Sequence, residues 1–477
     1  MFRRVLVAVL RLALRVFFRR IEVRGRGRVP RTGAVVFVVN HPNALVDPVF
    51  VLCHAPRRVS FLAKEPLFRM PVIKRLVRAL EAIPVYRRHD EGADTSRNRE
   101  TFALARDLLR RGGTIAICPE GVSHSDTKLR PLKSGAARIA LGVASDPSIQ
   151  LKIVPAGLYY TSKATFRSSA LLYFGEPLAV GPARLDPEGE PERDDVQELS
   201  ARIERALRDV TLNAEHERAL DLIARAERIF SAERDAPSAG GSRANSKEAR
   251  GGEREGEGGG RLTRELSLRQ RFLAGYAYHF ERAPARISAL EARVRRYEEE
   301  LRQAGVDPED LSAPRAGARA IAAYALRRVL PALCLAPLAA AGFFLHYPAY
   351  RLTGALATRL SRASEDVVST IKIVASMLLF PLTWLALAAV LYWLAGWPAA
   401  SASLVVAPLA GFVAVRFFEK LDEFVGGARA VSFYLTRRWF FKELLVERRR
   451  LYEEMTALGR EAAAASFDGR TVQTGEL

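Results

Sequence analysis

Short apolar runs alternate with amphipathic stretches through residue 180, and a polar cluster follows many of the runs. The run VVFVV at 35–39 is rich in β-branched residues and follows the turn pair Thr32-Gly33, which predicts a strand buried on both faces. Runs at 59–63, 82–86, 114–118, 153–160 and 170–174 predict further strands, and 21–34 reads as a short strand and a turn. Between them, 67–80, 97–111 and 134–143 predict helices, the second closed by Gly112-Gly113 as a helix stop. Asp47 opens another helix, where a carboxylate is favoured by the helix N-terminus. Two amphipathic helices over 196–230 follow, with Leu199, Ile203, Leu207 and Val210 on one face. Strand and helix in alternation predict an α/β domain over 21–230, a mostly parallel sheet flanked by helices.

Beyond residue 230 the pattern changes. Residues 231–261 are rich in Gly, Ser, Ala, Arg and Glu and predict a disordered linker, followed by a pair of charged helices over 262–310. Residues 373–415 contain no Asp, Glu, Lys or Arg, and Gly396-Trp397-Pro398 divides them into two parts. Each part is about 20 residues, enough to cross a bilayer, which predicts a transmembrane hairpin. Trp384, Tyr392, Trp393 and Trp397 supply interfacial anchors. The apolar segment within 329–350 carries Pro331 and Pro337 and predicts a kinked or re-entrant membrane segment. Arginines flank it on both sides, Arg327 and Arg328 before and Arg351 and Arg359 after, which disfavours a full crossing. Residues 416–477 then form a cytoplasmic helical tail. At the other end, Arg11 and Arg15 interrupt the apolar run of residues 1–20, and Arg19-Arg20 stand where a signal peptide would carry small residues. This predicts an interfacial amphipathic helix; the alternative is a first helix packed on the domain.

At 477 residues the chain has room for two or three domains. Its net charge of +20, carried largely by arginine, favours anionic partners: nucleic acid, phosphorylated metabolites or an acidic membrane surface. No zinc-ligand spacing, aromatic nucleic-acid signature or basic leucine-zipper helix occurs, which speaks against nucleic acid, and the hydrophobic segments favour the membrane. Cys53, Cys118 and Cys334 are too few and too scattered for a disulfide framework or a metal site, and suggest a reduced compartment.

The candidate chemistry gathers at strand ends. Asn40, His41, Asn43 and Asp47 lie just past the 35–39 strand, where open α/β sheets place their ligand crevices. A histidine beside a carboxylate suits general-base catalysis, and equally suits a structural hydrogen bond at a turn. Arg87, beyond the 82–86 strand, is placed either to bind a phosphate with its planar guanidinium or to solvate a basic turn. After the 114–118 strand, Gly121 lets the backbone approach a ligand, while Ser123 and neighbouring amides can donate to phosphate oxygens. Glu120 would hold a substrate hydroxyl or anchor an arginine such as Arg87. Lys128, Arg130 and Lys133 add positive charge.

NHPNALVDP at 40–48, IPVYRRHD at 83–90, CPEGVSH at 118–124 and IVPAGLYY at 153–160 together resemble, in order and spacing, the blocks of the glycerolipid acyltransferase superfamily over residues 20–230. Five residues separate His41 from Asp47, one more than the common family pattern. That spacing, Ser123-His124 after PEG, and the FRS…FGEP run at 166–177 resemble the branch with yeast-type glycerol-3-phosphate acyltransferases. The resemblance implies a membrane-bound O-acyltransferase of phospholipid synthesis. It would move a fatty acyl group from acyl-CoA or acyl carrier protein to glycerol 3-phosphate or 1-acylglycerol 3-phosphate, the choice of acceptor staying open. Another lysolipid acceptor and a catalytically silent lipid-binding protein are the alternatives. By the same resemblance His41 is the base and Asp47 its orienting partner; Arg87, Glu120, Gly121 and Ser123 bind the acceptor phosphate; Pro155 shapes the acyl-donor side. It implies no metal, no cofactor beyond the acyl donor and no covalent nucleophile. The implied partners are membrane lipids and the acyl donor, not nucleic acid, with the catalytic domain on the cytoplasmic side of the inner membrane.

Overall fold

The computed structural model describes residues 2–86, 97–126, 128–187, 189–212, 222, 225, 261–304, 318–361 and 365–473. Two units are distinguished: Met1–Asn213 with Gly259–Leu266 and Ala355–Ala375, and Ala214–Gly258 with Ser267–Gly354 and Ser376–Leu477.

The first unit begins with α1 (Phe2–Phe17), β1 (Arg20–Arg24), β2 (Ala34–Val39), α2 (Val46–His54) and β3 (Ser60–Lys64). It continues through α3 (Pro71–Ala79), β4 (Ile83–Val85), α4 (Asn98–Arg110), β5 (Thr114–Ile117) and α5 (Gly135–Ala144). β6 (Leu151–Tyr160), β7 (Ser169–Phe174), β8 (Leu178–Ala179) and α6 (Arg193–Val210) complete it. The strands form one sheet in the order β1-β7-β6-β2-β5-β3-β4, with β8 also on β6. Every neighbouring pair is parallel except β6 with β7 and β6 with β8, so the sheet is mostly parallel as expected.

β2 runs between β5 and β6, and all of its side chains are buried. Val35, Phe37 and Val39 join a core with Leu14, Phe17, Phe50 and Val51; Ala34, Val36 and Val38 join the opposite core with Leu109, Ile139, Leu199 and Ile203. Cover on both faces is why the run shows no polar alternation. The helix expected over 67–80 starts later, at Pro71, after a 3-10 turn over Glu65–Phe68. Proline is favoured at a first helical position, where its missing N–H costs nothing. The second helix expected within 196–230 falls almost wholly outside the described residues, as does most of the 231–261 linker.

α1 packs on the domain. Leu14 and Phe17 enter the core, while Arg11 and Arg3 donate to the carbonyls of Cys53 and Val59. Its other face leaves Phe2, Val5, Val9, Leu12 and Val16 exposed as an apolar stripe.

The helical part comprises α7 (Arg261–Arg282), α8 (Pro284–Ala304), α9 (Ala318–Leu360), α10 (Glu365–Thr436) and α11 (Arg438–Gln473). The first turns of α7 belong to the first unit: Glu22 of β1 accepts from the amides of Leu262 and Thr263 at 3.0 and 3.2 Å, a carboxylate set against a helix N-terminus.

In the second unit, α8 buries Ile287, Leu290, Val294, Tyr297 and Leu301, and α11 buries Phe441, Leu444, Leu451, Met455 and Leu458. Both sets follow the spacing of a coiled-coil seam. Arg293 bonds Glu447 at 2.8 Å and also Glu454, and Arg286 bonds Glu461 at 2.8 Å. α10 breaks at Gly396, whose φ of 80° and ψ of −176° are not helical. Trp384 Nε1 donates to His346 Nε2 at 2.7 Å, and a Cβ on Gly411 would meet the same imidazole at 2.7 Å. An unbroken helix would hold residues 384 and 411 about 40 Å apart. Contact of both with His346 therefore means that the chain reverses at Gly396. Gly342 packs directly on the Ala410 carbonyl, so α9 lies against this hairpin through small residues. Among the described residues, Asp366–Leu421 is the one stretch long and apolar enough to cross a membrane.

Candidate active site

The NHPNALVDP segment leaves the carboxyl end of β2 and turns into α2. Asn40 fixes the departure: its side chain donates to the Leu158 carbonyl at 3.0 Å and accepts from the Leu158 amide at 2.7 Å, tying the loop to β6. Ala44, inside the five-residue turn, takes a φ of 35°, an uncommon value for a residue with a Cβ. The longer turn still closes, with His41 Nδ1 2.9 Å from Asp47 Oδ2.

Asp47 is fully buried, and its carboxylate accepts from every partner around it. Besides the imidazole, the Asn43 amide donates to Oδ2 at 2.6 Å and the Tyr160 hydroxyl donates to Oδ1 at 2.7 Å. An acceptor-only carboxylate requires the imidazole to carry its proton on Nδ1, which leaves the Nε2 lone pair free. The His41 side chain is 19% exposed, so that lone pair sits on a ring that substrate can reach. Burial first, and the Asp47 charge second, push the Tyr160 hydroxyl well above its ordinary pKa and keep it a donor.

A second network holds the backbone of His41. Glu120, at the end of β5, is almost fully buried. It accepts from the His41 amide at 2.9 Å, from the Arg130 amide at 3.0 Å and from His124 Nε2. The His124 amide donates to the His41 carbonyl at 3.1 Å, and its Nδ1 accepts from the Asp126 amide at 3.2 Å. Glu120 thus bonds protein N–H groups and joins the two strand-end loops. Gly121 has a φ of +79°, and a Cβ there would lie 2.5 Å from Lys133 Nζ, so a cation covers the glycine. Ser123 Oγ donates to Asp366 of α10. Pro155 is buried in β6 in register with Val38, and its carbonyl accepts from Gly175 at 2.8 Å. Arg87 lies outside the described residues.

The fold therefore brings His41, Asp47, Glu120, Gly121 and Ser123 to the carboxyl ends of β2 and β5. Tyr160, His124 and Asp366 are site residues that motif reading gave no role. For Tyr160 a signal existed, since a phenol buried at a strand end must find a hydrogen-bond partner. Cys118 is half-buried here: desolvation, then the charges of Asp47 and Glu120, raise its thiol well above the ordinary range. A thiol so protonated is a poor nucleophile. Among the described residues no cluster of His, Cys, Asp or Glu could hold a metal ion.

Two family models match the chain: Acyltransferase over residues 20–159, and Glycerol-3-phosphate acyltransferase 2 C-terminal domain over residues 260–464. Glycerol-3-phosphate O-acyltransferase 2 of Saccharomyces cerevisiae is 39% identical over 134 residues, covering 28% of this chain and 18% of that protein. Glycerol-3-phosphate O-acyltransferase 1 of the same yeast is 29% identical over 301 residues, covering 45% of this chain and 40% of that protein. The matches thus span well under half the length of these curated relatives. The crystal structure of the 1-acyl-sn-glycerophosphate acyltransferase PlsC from Thermotoga maritima is similar with a TM-score of 0.32 at 20% identity, covering 44% of this chain and 79% of that one.

Proposed function

We propose, for a chain that carries an acyltransferase domain over residues 20–159 and a glycerol-3-phosphate acyltransferase 2 C-terminal domain over 260–464, that it is a membrane-bound O-acyltransferase of phospholipid synthesis. It transfers a fatty acyl group from acyl-CoA or acyl carrier protein to a hydroxyl of glycerol 3-phosphate or 1-acylglycerol 3-phosphate. The observation that carries this reading is His41: Nδ1 engaged by a buried carboxylate, which leaves the lone pair on Nε2, in a ring that is partly exposed.

In the reaction, His41 Nε2 takes the proton of the acceptor hydroxyl as its oxygen attacks the thioester carbonyl. Asp47, held by Tyr160 and Asn43, stabilises the imidazolium. When the tetrahedral intermediate collapses, the C–S bond breaks and the thiolate receives the proton from His41. The acyl group passes directly to the acceptor, with no acyl-enzyme. The acceptor phosphate is read by Arg87 and by the Gly121 turn with its neighbouring Lys133, and Pro155, from within β6, shapes the acyl-donor side. Glu120 contributes by fixing the backbone of His41. The Asp366–Leu421 helix and the apolar stripe of α1 hold the protein at the bilayer, with the catalytic unit on the cytoplasmic side, where acyl donors are soluble.

The test is acyl transfer by the purified full chain from labelled acyl-CoA and acyl-carrier-protein donors to glycerol 3-phosphate, lysophosphatidate and lysophosphatidylcholine. Transfer to one of the first two, abolished in His41→Ala with the melting temperature preserved, is the expected result. A wild-type protein inactive on all three with both donors would refute the reading.

A further inference from the structure

α10 begins far from His41 in sequence, yet about its first three turns belong to the catalytic unit. Asp366 accepts from Ser123 Oγ, Ser369 Oγ donates to the Lys163 carbonyl, and Lys372 Nζ donates to the Ala164 carbonyl at 2.7 Å. Asp366 and Ser369 are buried, and Ile373 packs against the core that contains Val39 and Phe50. Positions 366, 369 and 373 share one helical face. That face braces two loops at once: the turn after β5, which carries Glu120, and the loop after β6, where Asn43 Nδ2 also donates to the Lys163 carbonyl at 3.5 Å. Both loops lead back to the catalytic pair, the first through the bond from Glu120 to the His41 amide, the second through Asn43, whose own amide holds Asp47.

A buried carboxylate next to an anion subsite would weaken binding unless it had another task. Here the task is visible. Asp366 takes the hydrogen of Ser123, and a carboxylate on the first turn of a helix is itself stabilised by the helix dipole. With its hydrogen committed, Ser123 is not the donor that an acceptor phosphate meets. The Lys133 ammonium beside Gly121 remains for that.

We propose that Asp366 is a positioning residue of the acceptor subsite, holding Ser123 and with it the 121–124 turn in the geometry that receives the acceptor. This rests on the acyl-transfer reading above. The helix that continues into the uncharged 373–415 stretch thereby sets acceptor affinity, although it supplies no group to the reaction.

Steady-state kinetics of the full chain in lipid nanodiscs test the assignment. Ser123→Ala and Asp366→Ala should each raise the acceptor KM about tenfold, the scale of one hydrogen bond to a charged partner. The acyl-donor KM and kcat should stay within about twofold, as for a contact equal in ground and transition states. Asp366→Asn should restore most of the affinity, because its amide oxygen still accepts from Ser123. The double variant should be no worse than either single one, since both remove the same contact. Without substrate, hydrogen exchange of amides 121–126 should be faster in Asp366→Ala and unchanged in Asp366→Asn. An unchanged acceptor KM in both alanine variants, an equal loss in both KM values and kcat, or an Asn variant as damaged as Ala would overturn the proposal. If the wild-type protein transfers no acyl group, the functional reading fails and the exchange arm alone decides the contact: wild-type exchange in Asp366→Ala overturns it.

Discussion

At the scale of single residues, the site depends on how Asp47 is held as much as on Asp47 itself. A buried carboxylate with three donors is strongly oriented, and each donor lost loosens the imidazole it orients. Tyr160→Phe removes one donor and leaves the ring packed on Phe18 and Phe50. A hydrogen bond to a charged group is worth about 1.5–3 kcal/mol, so kcat should fall roughly 10- to 100-fold. The acceptor KM should hardly move, and a wild-type kcat in Tyr160→Phe would show that the hydroxyl is dispensable. Cys118 gives the opposite expectation. Its raised pKa keeps the thiol protonated near neutral pH, and the thiolate forms only as pH climbs past the ordinary thiol range. Alkylation by iodoacetamide at pH 7.5 should therefore leave Cys118 unmodified in peptide mass spectra. Cys118→Ala should retain activity, and an acyl-cysteine at 118 after incubation with acyl donor would contradict direct transfer.

Among the elements, β2 and β6 carry the site, and their close contacts are the least forgiving. Gly157 lies where β6 passes under the end of α6: a Cβ there would fall 1.8 Å from the Val210 carbonyl oxygen. Gly157→Ala must push α6 off the sheet, at about 2–3 kcal/mol or more. The thermal midpoint of the catalytic unit should drop by about 5–10 °C. A melt within about 1 °C of wild type would mean that the strand relaxes freely. Much of this layer was legible in the sequence. VVFVV announced a doubly covered strand because parallel sheets bury both faces, and HPNALVD announced a histidine and a carboxylate at its end. Gly396 was legible as a break because few other residues tolerate its backbone angles. The bond from Ser123 to Asp366 joins residues 243 positions apart, and no local pattern encodes a partner at that distance. The seam between α8 and α11 was missed for a related reason: each helix alone shows mixed charge, and its apolar positions acquire meaning only when the partner is known.

For the whole molecule, the ion pairs of Arg286 and Arg293 with glutamates of α11 bear on membrane topology. Helices joined by such partly exposed pairs lie in the same aqueous compartment, since moving charges into hydrocarbon is costly. On the membrane-bound reading proposed above, the chain between α8 and α11 would then cross an even number of times, and a transmembrane hairpin at Gly396 would satisfy that by itself. Cysteines placed at Arg302 and Arg449, both exposed, should react with a membrane-impermeant maleimide from the same side. A cysteine at Ser401, near the reversal, should react from the other. Labelling of 302 and 449 from opposite faces would mean that α9 completes a crossing.

For expression and fragment design, the placement of Ala355–Ala375 in the catalytic unit sets a lower limit. A fragment cut after Asn213 keeps His41, Asp47 and Glu120 but discards Asp366, Ser369 and Lys372, and it uncovers the core surface where Ile373 packs. Such a fragment is an incomplete domain, and its aggregation would say nothing about the fold's intrinsic stability. Joining Leu266 to Ala355 through a flexible linker would restore the missing helix end while omitting the intervening helices, and is the shorter gene worth building first.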